Sequence, residues 1–137
     1  MRKGNGAGDP DNQETINVLI VDDEKNFTDM VKMNLEAAGG YALKVENTGK
    51  NALAAAKKFK PDLILLDIIM PDVDGGTVLF ELQNEKTTKD IPVVFLTAIV
   101  NERDTSRIDY RISGRPFLAK PVTTSQLIEC IKRNIRR

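Results

Sequence analysis

Short apolar runs recur along this chain, and the segments between them carry helical spacing or helix-forming composition. Ile16-Asn17-Val18-Leu19-Ile20-Val21 is β-branched and apolar and ends in two acids, which is how a buried strand reads. Phe27, Met30, Val31, Met33 and Leu35 then recur at roughly helical spacing, until Gly39-Gly40 stops the helix. Tyr41 to Glu46 alternates apolar and polar residues as a strand does. Asn47-Thr48-Gly49 is punctuation, and Lys50 to Phe59 is an alanine-rich helix closed by Pro61. Leu63-Ile64-Leu65-Leu66 is a further buried strand reaching Asp67, and Gly75 to Glu85 a helix. Ile91-Pro92-Val93-Val94-Phe95-Leu96 is the next strand, with its proline near the start, where a ladder donor is least needed. Residues 101–113 make a weak helix, since only Ile108 and Ile112 offer an apolar face. Pro116-Phe117-Leu118-Ala119 is the last strand, and Thr123 or Thr124 caps a helix carrying Leu127, Ile128 and Ile131. Strands alternating with helices predict right-handed βαβ units and an α/β fold whose parallel sheet is covered on both faces.

In such sheets ligands bind beyond the carboxyl ends of the strands. Four of the five predicted strands carry a reactive side chain there. The first brings Asp22 and Asp23, the third Asp67, the fourth Thr97 and the fifth Lys120. Carboxylates gathered on one rim repel and raise one another's pKa unless a cation joins them. Oxygen ligands of this kind suit Mg²⁺, which takes one or two carboxylates and keeps several waters. Lys120 supplies a point charge for an anion, and Thr97 a hydroxyl donor. An acid, a hard cation, a lysine and a hydroxyl are the parts needed for phosphoryl transfer onto a carboxylate. Asp67 is the expected nucleophile because it stands alone at the end of the most apolar strand, whereas Asp22 and Asp23 are a pair placed to hold metal.

Composition narrows the alternatives. At 137 residues the chain has room for one domain with a real core. Twenty basic and twenty acidic residues cancel, so no whole-chain field draws it to nucleic acid or membrane. There is no histidine, and the single cysteine, Cys130, has no intramolecular partner, so a zinc site is not expected. Residues 1–15 have no apolar run after their basic start and read as a flexible leader, not a signal peptide, with the domain spanning 16–137. No stretch is long enough to span a bilayer, and a cytoplasmic setting is expected.

Asp22-Asp23, Leu66-Asp67-Ile68-Ile69-Met70-Pro71-Asp72-Val73-Asp74-Gly75, Thr97-Ala98 and Lys120-Pro121 together resemble the receiver domains of bacterial two-component response regulators. The resemblance covers about residues 16–136. It implies a flavodoxin-like three-layer sandwich with strand order 2-1-3-4-5 and five helices. It implies that Asp67 is the phosphoacceptor, that Asp22, Asp23, Asp67 and the backbone carbonyl of Ile69 hold Mg²⁺, and that Thr97 and Lys120 bind the phosphoryl group. Ala98 would leave access to the aspartate, Phe117 would be the switch aromatic, and Lys120–Pro121 a cis peptide bond. The implied partner is a histidine kinase or phosphotransfer protein, with an output partner that the residues do not specify. The protein would be a signalling module rather than a turnover enzyme, monomeric or dimerising on phosphorylation. It would be either a single-domain regulator or a receiver cut from a longer chain.

Three departures from the family pattern stand out. Phe117 lacks the hydroxyl of the commoner tyrosine, so a switch there works by packing alone. Ile69 and Ile99, each two residues past a site residue, are apolar and cannot orient an attacking water, which predicts a long-lived phosphoryl aspartate. The stretch Asn101 to Gly114 is unusually charged.

Competing readings are simpler. Asp22-Asp23 could merely cap the following helix, and Lys120 alone could be a solvated charge. An aspartate-nucleophile phosphatase and a receiver fold reduced to an interaction domain remain functional alternatives. Gly4-Asn5-Gly6-Ala7-Gly8 precedes every strand and so is not a dinucleotide loop. Asp72-Val73-Asp74-Gly75-Gly76-Thr77 is similar to the nucleophile motif of haloacid dehalogenase-like phosphatases, but Pro71 and an extra glycine spoil its spacing, so it reads as a turn. The basic run Lys132 to Arg137 suits the last turn of a helix without invoking nucleic acid.

Overall fold

The computed structural model describes residues 15–98 and 114–135. Five parallel strands form one sheet in the order β2-β1-β3-β4-β5. They are β1 (Ile16–Val21), β2 (Tyr41–Glu46), β3 (Leu63–Asp67), β4 (Val93–Thr97) and β5 (Phe117–Ala119). The helices among the described residues are α1 (Lys25–Ala38), α2 (Ala52–Phe59), α3 (Gly75–Gln83) and α4 (Thr124–Asn134). The further helix expected over 101–113, and Ile99, lie outside the described residues.

Alternation along the central strands explains why they read as unbroken apolar runs. Leu19 and Val21, Ile64 and Leu66, and Val93 and Phe95 face one side, where they pack with Ala52 and Ala56 of α2 and Val78, Leu79 and Leu82 of α3. Val18 and Ile20, Leu63 and Leu65, and Val94 and Leu96 face the other, against Val31 and Leu35 of α1 and Leu127, Cys130 and Ile131 of α4. Each central strand is therefore buried on both faces, as a covered parallel sheet requires. A fully buried Leu, Ile or Val contributes about 1.5–3 kcal/mol relative to leaving it exposed, so the two cores fix the register of the strands that carry the rim residues.

The structure refines the reading of the sequence in three places. The face of α1 toward the core is Thr28, Val31 and Leu35. Met30 and Met33 lie instead on the outer side, the latter 65% exposed. Thioether side chains at helical spacing gave no way to tell a stripe turned to the core from one beside it. Ile91 and Pro92 precede β4 rather than belonging to it. The Pro92 carbonyl accepts from Ile64 N at 2.9 Å, so the proline still closes the ladder through its oxygen. Gly49–Asn51 forms a 3₁₀ turn before α2, because Asp72 accepts from Gly49 N at 3.3 Å and Lys50 N at 2.9 Å and holds that turn from across the loop. Of the two threonines offered as the last cap, Thr123 is the one used. Its hydroxyl accepts from Gln126 N at 3.1 Å, and the Gln126 side chain accepts from Thr123 N at 2.8 Å, a reciprocal capping box.

Candidate functional site

β1 runs into Asp22 and β3 ends on Asp67, and because the two strands are parallel neighbours, with Val21 opposite Leu66, their acids meet on one rim. Asp22 is fully buried and Asp67 nearly so, whereas Asp23 is exposed. Carboxylate oxygens of Asp22, Asp23 and Asp67 lie within 4.8 Å of one another.

Each carboxylate is held differently. Asp22 Oδ1 accepts from Glu24 N at 2.9 Å. Its Oδ2 lies 2.6 Å from the Lys120 ammonium but has no partner in hydrogen-bonding geometry. That contact is a close ion pair whose angle falls outside hydrogen-bonding geometry. Asp67 Oδ1 accepts only a long bond, 3.3 Å, from Ile69 N. Burial, then the neighbouring Asp22 charge, pushes the Asp67 carboxyl up to about 7, against the opposing pull of Lys120. Burial also raises Asp22, although Lys120 and the Glu24 amide act in the other direction. Carboxylates this buried and this close favour a divalent cation as their common partner.

The basic side of the site is Lys120, which directly follows β5. Its side chain is 11% exposed and pairs with Asp22 at 2.6 Å and with Glu24 at 2.7 Å. Its ammonium also stands 4.6 Å from the centre of the Phe27 ring. Burial alone would push Lys120 down, but its bonds to Asp22 and Glu24 and the charge of Asp67 outweigh that and hold the pKa above the usual lysine value. No ion pair joins Lys120 to Asp67 among the described residues. The Lys120–Pro121 bond is cis, and Lys120 N donates to the Thr97 carbonyl at 2.8 Å, tying the fifth strand end to the fourth.

Thr97 ends β4 beside Ala119 and is buried. Ala98 follows it and is exposed. Phe117, on β5, turns its ring outward and is 64% exposed. Gly75 opens α3 directly over the acceptor strand: a β-carbon there would stand 2.5 Å from the Asp67 carbonyl oxygen and 2.9 Å from Ile68 Cα. The Asp74 side chain caps that helix by accepting from Thr77 N at 2.8 Å, which makes the Asp72–Thr77 stretch a turn and a helix start.

Two contributors escaped the reading of the sequence. Glu24 pairs with a lysine 96 residues away, and nothing local marks it. Asn47 donates to the Asp22 carbonyl at 2.7 Å and to the Thr28 hydroxyl at 3.0 Å, bracing the β1 rim from the end of β2. Its position just after a strand was the only available signal.

A parallel sheet in this strand order, with clustered acids, a lysine and a hydroxyl at its carboxyl edge, defines a class of α/β domains centred on an acidic rim. The response regulator receiver domain family matches residues 18–132, and the chain belongs to that family. It is 37% identical over 121 residues to the DNA-binding dual master transcriptional regulator RpaA of Synechocystis, covering 88% of this chain and 49% of that protein. It is 36% identical over 120 residues to the phosphate regulon transcriptional regulatory protein PhoB of Pseudomonas aeruginosa, covering 88% of this chain and 52% of the relative. The chain thus spans about half the length of these curated relatives. The solved structure of the chemotaxis protein CheY4 of Vibrio cholerae superposes with a TM-score of 0.74 at 28% identity, over 87% of this chain and 98% of that one.

Proposed function

We propose that this receiver domain, over residues 16–137, takes a phosphoryl group onto Asp67 from the phosphohistidine of a histidine kinase or phosphotransfer protein. In that step an Asp67 carboxylate oxygen attacks phosphorus, the O–P bond forms as the N–P bond breaks, and the departing imidazole keeps its nitrogen lone pair or takes a proton from solvent. The observation that carries the reading is Asp67 itself: a nearly buried carboxyl, within 4.8 Å of two further acids and opposed by one lysine. The three clustered carboxylates and the all-oxygen donor set fit a hard divalent cation. Mg²⁺ would be held by Asp22, Asp23, Asp67 and the Ile69 carbonyl, and would supply charge neutralisation on the phosphoryl oxygens.

This chain's own residues do the rest. Lys120 carries a compact positive charge to a phosphoryl oxygen, and the Thr97 hydroxyl donates to another. Ala98, small and exposed beside Thr97, leaves the approach to Asp67 open. Once the group is bound, Thr97 and Phe117 shift together, and the exposed Phe117 ring changes the surface presented to an output partner by packing alone. Ile69 offers no polar atom on its side chain to guide water, which favours a long-lived acyl phosphate. No described helix is long and apolar enough to cross a membrane, and a cytoplasmic location suits such a partner. RpaA is a DNA-binding regulator by name. Nothing in the described residues favours direct contact with nucleic acid here, and the output is proposed to be a protein–protein interaction or a phosphorylation-dependent dimer.

The test is intact-protein mass after incubation with acetyl phosphate and Mg²⁺. One added phosphoryl group on the wild type, absent from Asp67→Ala and absent without Mg²⁺, is the expected result. Turnover of a chromogenic phosphate ester without stable labelling would favour a phosphatase instead. No labelling under conditions that label a control receiver would leave an interaction domain.

A further inference from the structure

Lys120 has two acidic partners, and one of them belongs to none of the roles assigned so far. Glu24 follows the acid pair directly, its backbone N–H braces Asp22 Oδ1 at 2.9 Å, and its side chain reaches back to the Lys120 ammonium at 2.7 Å. The Glu24 side chain is 61% exposed while that of Lys120 is 11% exposed. The ammonium is enclosed on three sides: by Asp22 at 2.6 Å, by Glu24, and by the Phe27 ring at 4.6 Å. It pairs with neither oxygen of Asp67, although that is the side chain whose phosphoryl group it is proposed to neutralise.

We propose that Glu24 is a positioning residue that parks Lys120 beside the acid pair, away from Asp67, and gives it up only when a phosphoryl oxygen offers a stronger partner. This rests on the phosphoacceptor reading of Asp67. The argument follows from who competes for what. A divalent cation bound by Asp22 takes over the charge that Lys120 now neutralises there. Without Glu24, the displaced ammonium would be left to Asp67, whose charge already acts on it, and would occupy the nucleophile. With Glu24 it retains a partner that is not a reacting atom. Because Glu24 is largely in solvent, the pair is weak. It is strong enough to bias where the ammonium rests and weak enough to be released by a phosphoryl dianion, which is the better acceptor.

Two measurements on the full chain test this. The first compares Lys120 Nζ in lysine-selective ¹⁵N spectra of wild type and Glu24→Gln, both with Mg²⁺. The wild type should show a protected ammonium signal that broadens or shifts in the variant. An unchanged signal would overturn the proposal, and this readout does not depend on phosphorylation. The second follows phosphoryl gain from acetyl phosphate by intact mass at saturating Mg²⁺, for wild type, Glu24→Gln, Lys120→Met and the double variant. Glu24→Gln should alter the rate by about twofold to fivefold, the leverage of one exposed ion pair. The change should vanish in the Lys120→Met background. An equal change in both backgrounds would show that Glu24 acts only through its general field, and no change in either would show that it does not hold Lys120. Failure of the wild type to label at all would remove the phosphoacceptor reading, while the Nζ comparison would still decide whether Glu24 holds the lysine.

Discussion

Replacing Asp67 by asparagine should make the protein more stable, and only at the pH values where the native carboxyl is charged in the unfolded chain. Asp67 is 6% exposed and its pKa is pushed up to about 7 from an ordinary value of 3.8. Below pH 3.8 the carboxyl is protonated in both states and contributes no difference. Between 3.8 and about 7 the unfolded chain gives up its proton while the folded chain keeps it. The folded state therefore loses about 1.4 kcal/mol of relative stability for each pH unit. Above about 7 the loss is complete and constant. A shift of roughly three units corresponds to an upper bound of about 4 kcal/mol, which water reaching the rim will reduce. The assay is urea unfolding of wild type and Asp67→Asn at intervals from pH 4 to 8 in the presence of a chelator. The difference between the two proteins isolates this one group from the other acids. It should be near zero at pH 4, rise through pH 6 and level off above pH 7. Mg²⁺ should then shrink it, since a cation that binds only the folded wild type at a hundred times its dissociation constant adds about 2.7 kcal/mol. A difference independent of pH would refute the burial argument, and one that Mg²⁺ leaves untouched would refute the cation site.

Other perturbations have clear expected outcomes. Gly75→Ala drives a methyl into the backbone beneath Asp67, so it should cost about 1–3 kcal/mol in urea melts and slow phosphoryl gain in the mass assay. Thr123→Ala removes one arm of the capping box of α4 and should cost about 1 kcal/mol, with phosphorylation unchanged. Ile69→Asn supplies a side chain able to orient water beside Asp67, and the phosphoryl group should be lost at least several times faster at neutral pH; an unchanged half-life would mean that water reaches phosphorus by another path.

The elements of this fold were legible where one period ruled. The runs at Ile16–Val21 and Leu63–Asp67 are buried on both faces, and a continuous apolar stretch ended by acids has few other meanings. The rim residues were legible for a second reason, that a parallel sheet brings its carboxyl ends together whatever the loop lengths. Reading failed where the deciding partner is distant or the chemistry ambiguous. Met30 and Met33 share helical spacing with Val31 and Leu35, yet lie on the outer side of α1, because spacing alone does not say where a stripe stops. Thr28 lies fully buried in that face, its hydroxyl accepted by the Lys25 carbonyl at 3.0 Å, and a polar residue gives no hydrophobic signal. Glu24 and Asp72 look like ordinary surface acids until the fold brings Lys120 to one and the Gly49–Lys50 amides to the other.

The acids and the lysine of the site are anchored in parts of the sheet with different resistance to opening. Asp22 directly follows β1 and Asp67 ends β3, interior strands of six and five residues. Lys120 directly follows β5, an edge strand of three residues whose own side chains are largely uncovered. Amide exchange at Ile20 and Leu65 should therefore require global unfolding, while exchange at Leu118 and Ala119 should proceed through local fraying of the edge. The anionic half of the site behaves as a fixed template. The cationic half follows a short edge strand of which, among the described residues, only Leu118 packs against a core, so the lysine can shift with less disturbance to the packing than either acid.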